Sequence, residues 1–229
     1  MGDLKSRVRR GVLSAALVLV LLPVAACSGA GSDDAAEARA VAEVCGGFAE
    51  EGPAREALTA LVGDAGDVGD LGDVGLVDDR SRPDDTLRAL KEADGTLSPS
   101  ELANGSPFCR LRRAGEAESL LDITFREALT VPRAGDEQTF RRFRTGASAE
   151  SSSRYAKLFF PCRRPSEARE LIVAAELERS GESVVKGDQD PAALQITVLN
   201  AAARVVAARL GCGATGLVDG RPVPVPVAG

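Results

Sequence analysis

From Leu121 to Arg126 the chain alternates: Leu121, Ile123 and Phe125 against Asp122, Thr124 and Arg126. Successive side chains of a strand point to opposite faces, so this period predicts a half-buried strand. Phe108–Arg112 stands shortly before it and predicts a hairpin partner. Thr139–Thr145 reads as a further extended stretch. Ala156, Leu158 and Phe160 alternate with Tyr155, Lys157 and Phe159, and Pro161-Cys162 is expected to close that strand. The segment 168–179 carries two signals. Its residue types favour helix, whereas Leu171, Val173, Ala175 and Leu177 alternate as in a strand. Cys162…Glu167–Ile172 echoes Cys109…Glu116–Leu121, which leads into the clear strand, so strand is the reading here too. Asp190 and Pro191 then open a helix to about Leu210. Thr197, Asn200 and Arg204 form one polar stripe on it. Nearly everything else is apolar, which predicts a mostly buried helix lying across a sheet. Near the start, Asp33 or Asp34 suits the cap of a helix over Ala35–Val44, ended by Cys45-Gly46-Gly47. Pro53 suits the first position of another, with Ala54, Ala57, Leu58 and Leu61 as its stripe. The fold class expected is α+β: an antiparallel sheet with helices packed on one face.

The longest apolar run, Gly11 to Leu22, follows a basic head of Lys5, Arg7, Arg9 and Arg10. That order, ending in small residues, is the pattern of a secretory signal peptide. The run is shorter than the roughly 20 residues of a spanning helix, and Asn200 and Arg204 interrupt the longest later stretch. At its end Val24-Ala25-Ala26-Cys27 resembles the bacterial lipobox, usually Leu-Ala-Gly/Ala-Cys, with Val in place of Leu. The resemblance implies cleavage between Ala26 and Cys27 and a diacylglyceryl thioether on Cys27. Two acyl chains hold a protein stably on a bilayer, where one binds marginally. The division expected is a lipoprotein signal peptide over 1–26, a tether and short helix over 27–44, one α+β domain over 45–214, and a Pro/Val-rich tail over 215–229. Together with its Arg- and Ala-rich composition, the chain resembles the small secreted lipoproteins of actinobacteria. That resemblance carries no activity with it.

Lipidation of Cys27 leaves Cys45, Cys109, Cys162 and Cys212. An even number in an exported chain reads as disulfides, with three possible pairings. Cys45–Cys109 with Cys162–Cys212 is favoured, and each closes a long loop that the chain-entropy model values at about 4 kcal/mol. A zinc site of four thiolates lacks the short ligand spacing such sites use.

Removing residues 1–26 leaves 24 basic and 33 acidic residues of the original 28 and 34, a net charge of −9. With no Trp and one Tyr, this argues against nucleic acid as a partner. The chain has no His, which excludes His-based triads and His metal sites. No cofactor motif is found. Asp64, Asp67, Asp70 and Asp73, spaced by three, read as an acidic loop. Asp94–Glu101 matches only the second half of an EF-hand loop, because Leu90 stands where the first Asp ligand belongs. Ser183-Val184-Val185-Lys186 matches Ser-x-x-Lys without the partner motifs that chemistry needs.

Charge is uneven. Residues 27–105 carry 6 basic and 18 acidic side chains, and residues 106–164 carry 12 and 7. Arg141, Arg144, Arg163 and Arg164, on or beside predicted strands, are the candidates for a binding face toward an anionic envelope polymer or an acidic protein. The competing expectation is that the acidic first half folds back and neutralises that face. The function expected is a membrane-anchored extracytoplasmic lipoprotein, a non-catalytic binding module of the cell envelope. The alternative is an envelope enzyme with a carboxylate site on its acidic loops.

Overall fold

The structure is a computed structural model of the chain. It describes residues 43–50, 52–62, 76–93, 105–114, 116–132, 140–165, 169–180 and 189–226. The expectations for the signal peptide, the tether, most of the first helix, the Asp repeat, the EF-hand-like stretch and Ser183–Lys186 fall outside these residues.

Eight strands form one sheet: β1 (Leu76–Val77), β2 (Ser106–Arg113), β3 (Leu121–Ala128), β4 (Arg141–Arg144), β5 (Ser148–Ser151), β6 (Tyr155–Arg163), β7 (Glu170–Arg179) and β8 (Val223–Pro224). Their order is β1-β2-β3-β7-β6-β5-β4-β8, and every neighbouring pair is antiparallel. Among the described residues three α-helices accompany them: α1 (Gly52–Val62), α2 (Pro83–Glu92) and α3 (Pro191–Leu210). α3 lies on the middle of the sheet, α2 on β2 and β3, and α1 packs against α3. The α+β arrangement with helices on one face is therefore the observed fold.

One set of alternate residues builds the core. Leu121, Ile123 and Phe125, Ala156, Leu158 and Phe160, and Leu171, Val173, Ala175 and Leu177 are all buried under the helices. The doubtful segment is thus a strand, because its alternation has a helix to bury it. Phe159 has the opposite parity, yet it too is buried. Val131, at the start of the long connection from β3 to β4, packs with Ala128, Phe159, Ile172 and Ala174 on the face away from the helices.

β6 runs through Pro161 to Arg163 and does not stop where the proline suggested. The last β5 pair is Ser148↔Phe159, so Pro161 lies beyond it, where a ladder donor has no acceptor on that side. Asp190 caps α3, accepting from the Ala192 N–H at 3.2 Å, and Gly211 closes it at φ 74°. α3 has the length and hydropathy of a spanning helix, but its apolar residues are buried in this core.

The segment expected as a Pro/Val-rich tail from 215 is held against the domain as far as Val225. The Gly146 N–H donates to Gly216 O at 2.9 Å, and Val223↔Arg144 and Pro224↔Phe143 pair β8 with β4. Gly146 is required at that contact: its φ is +61°, and a Cβ there would lie 2.5 Å from Phe159 O. The Val225 N–H donates to Arg142 O at 2.8 Å, so odd-numbered residues of this segment face β4. By alternation the outward positions include Pro224 and Pro226, which have no N–H to offer another strand. Replacing Pro224 and Pro226 by Ala restores those donors. The expected outcome is concentration-dependent self-association in sedimentation analysis, with stability changed by less than about 0.5 kcal/mol. An unchanged monomer at every concentration would show that the prolines do not protect the edge.

Candidate binding surfaces

The face of the sheet away from the helices carries charged rows beside the small apolar cluster around Phe159. Register places Arg142, Glu150, Lys157, Glu176 and Thr124 in one row across β4, β5, β6, β7 and β3. The next row runs Tyr155, Glu178, Asp122 and Arg110. Arg126 pairs with Glu176 at 3.0 Å, and Arg110 pairs with Asp122. Lys157 sits over the Tyr155 ring, 5.8 Å from its centroid. Burial, with Glu178 and Glu176 beside it, raises the Tyr155 pKa above the ordinary phenol value.

The four candidate arginines occupy two separate places. Arg141 and Arg144 are on β4 beside the β8 edge, where Arg141 pairs with Asp190. Arg144 is exposed and makes no ion pair among the described residues. Arg163 and Arg164 stand at the far end of β6. Arg163 pairs with Glu170 at 3.4 Å. Arg164 is buried and donates from Nη1 to the Lys91 carbonyl at 3.1 Å, near the C-terminus of α2 where a cation is favoured.

Partners for the basic segment come from several parts of the chain. The acidic first half supplies Asp79 to Arg112, at 2.9 Å. That hydrogen bond holds the Asp79 carboxyl below its usual range, so the pair contributes above the unfolded carboxyl pKa and is lost as pH falls through the folded value. Asp122, Glu170, Glu176 and Asp190 come from the later half.

The four cysteines form the two expected disulfides. Cys45–Cys109, separated by 64 positions, joins the 3-10 turn Val44–Gly46 to β2. Cys162–Cys212, separated by 50, joins β6 to the end of α3. The thiolate zinc alternative is thereby replaced.

A second surface lies behind α3. A cleft of about 410 Å³ opens between α3, α1 and the chain at Asp219-Gly220. Its walls include Phe48, Ala54, Ala201 and Val205, and its polar groups are Thr197, Asn200, Arg204 and Asp219. The polar stripe of α3 thus faces this cleft, and the sheet side is apolar apart from the buried Gln195, whose Nε2 donates to Ser152 O at 3.1 Å. Asn200 is 1% exposed and fully engaged. Thr145 Oγ1 donates to Asn200 Oδ1 at 2.5 Å, Asn200 Nδ2 donates to Val218 O at 2.9 Å, and the Val218 N–H donates to Thr145 Oγ1 at 3.2 Å. This closed ring holds the C-terminal segment against α3. Arg204 pairs with Asp219 at 2.6 Å across the mouth, and Arg221 pairs with Glu56 of α1 at 2.5 Å. The stripe was visible in sequence. Its role in a cleft was not, because the far wall comes from residues 218–220.

Compared with family models, with curated proteins and with solved structures, the chain matches none of them.

Proposed function

We propose that the protein is a lipid-anchored binding module on the extracytoplasmic face of the cell membrane, without catalytic activity. One observation carries the reading. Of five cysteines, four pair with one another inside the folded domain, and the fifth, Cys27, directly follows Val24-Ala25-Ala26. That pairing leaves Cys27 as the cysteine available for the thioether that a lipobox implies. Two disulfides fit an oxidising compartment outside the cytoplasm. The acyl chains supply the membrane contact, so the domain is left to meet a partner. Toward an anionic envelope polymer or an acidic protein it offers Arg144, with Val223 and Val225 exposed on the adjoining edge strand.

The test is fractionation of a bacterial host that processes lipoproteins. Wild type is expected in the membrane fraction, released by detergent and not by high salt. Cys27→Ser is expected to accumulate as the longer, uncleaved precursor without acyl chains. Wild type recovered in the soluble fraction, or processing unaltered by the substitution, would refute the anchor.

A further inference from the structure

We propose that the cleft between α1, α3 and Asp219-Gly220 binds a small zwitterion with an apolar side chain, in chemical class an α-amino acid. The inference deepens the binding-module reading and rests on it, but it does not depend on the lipid anchor.

The volume, about 410 Å³, falls in the range of small-molecule sites. Phe48, Ala54, Ala201, Val205 and Ala208 give it an apolar lining, with alanines leaving the space. Burying an aliphatic side chain there is the favourable contribution. Specificity comes from the mouth. Arg204 and Asp219 face each other with side chains 46% and 89% exposed. A pair this exposed contributes little to the fold, so exchanging it for a ligand is nearly even.

The sign of the ligand's charge follows from that pair. A simple carboxylate taking Arg204 would displace Asp219 and then face it as a like charge. A simple amine on Asp219 would leave Arg204 in the same position. A zwitterion satisfies both groups. Its carboxylate accepts from the Arg204 guanidinium, and its ammonium donates to the Asp219 carboxylate. Thr197 adds a further acceptor: its hydroxyl proton is given to Ala193 O at 2.7 Å, which leaves oxygen lone pairs among the cleft-lining groups. The bottom is rigid, because Asn200 is locked by Thr145 and Val218.

Titration calorimetry of the purified full chain tests this with three probes: leucine, N-acetylleucine, which lacks the ammonium, and leucinamide, which lacks the carboxylate. Leucine is expected to bind saturably. Each blocked probe, and each of Arg204→Ala and Asp219→Asn with leucine, is expected to bind about ten-fold more weakly or worse, the loss of one charge-assisted contact. Arg209→Ala breaks a pair with Asp84 away from the cleft and is expected to change nothing. The proposal is overturned if leucine gives no saturable binding, if either blocked probe binds as well as leucine, or if neither cleft substitution weakens binding. None of these outcomes bears on membrane fractionation, so failure of the cleft and failure of the anchor are read separately.

Discussion

Replacing Cys162 and Cys212 together by Ala is expected to destabilise the domain by about 4 kcal/mol, and so to lower its melting temperature by roughly 8–16 °C. The bridge spans 50 positions and ties the 1% exposed Cys162 of β6 to the residue after the C-cap of α3. Without it the unfolded chain gains the entropy of an open loop that includes β7 and the whole of α3. Cys45→Ala with Cys109→Ala is expected to act comparably, since its loop spans 64 positions and both sulfurs are buried. Opening both bridges removes about 8 kcal/mol, a loss comparable to the whole stability of an ordinary domain. A reductant that reaches both should therefore unfold the protein near physiological temperature. Calorimetric melts of the oxidised chain and the two double variants check this. A loss below about 1 kcal/mol for either pair would mean that its loop is already constrained in the unfolded state.

Asn200→Ala is expected to cost about 2–4 kcal/mol, because it leaves the buried Thr145 hydroxyl and the half-buried Val218 carbonyl unsatisfied. The Thr145 hydroxyl loses its acceptor and the Val218 carbonyl loses the Asn200 donor. The effect should be local as well as global. The ring of Thr145, Asn200 and Val218 fixes the segment that continues into β8, so amide exchange at Val218 and Val225 should accelerate more than exchange in β6 or β7. Replacing Asn200 by Leu keeps the volume but not the bonds, and should not restore stability. Thr197→Ala is the control, because among the described residues the Thr197 hydroxyl bonds only back to Ala193 on its own helix. Urea unfolding with hydrogen exchange measures both parts. A change below about 1 kcal/mol with unaltered exchange at Val225 would show that the segment is held by β8 pairing alone.

The fold was legible wherever burial follows a simple period. Leu121, Ile123 and Phe125, or Leu171, Val173, Ala175 and Leu177, declare a strand because alternate residues meet the helices and most of those between them are polar. β5 did not declare itself. Ser148-Ala149-Glu150-Ser151 has no strong strand former, and it is extended because β6 and β4 pair with its two sides. α2 carried signals too slight to read: Pro83 at its start, Asp84 and Asp85 in the first turn, and only Thr86, Leu87 and Leu90 buried. The C-terminal Pro-Val alternation suggested an extended polyproline tail. It is extended, but it is held at an edge where alternate residues need no N–H. The cysteine count declared two disulfides and left three pairings open, and the favoured one is the one formed. The arginines were harder. Local alternation gives the parity of Arg142 or Arg144, but not the neighbour on the next strand, and Arg141 meets Asp190 from 49 positions away. The cleft has the same difficulty, since the Asn200 stripe becomes one wall of a site only when residues 218–220 form the other.

The proposed anchor on Cys27 is tested most directly by the intact mass of the full-length gene product isolated from the membranes of a lipoprotein-processing host. The expected mass is that of the chain beginning at Cys27, with two disulfides and a diacylglyceryl group on that cysteine. A chain in which Cys27 is unmodified, whether or not residues 1–26 have been removed, would contradict it.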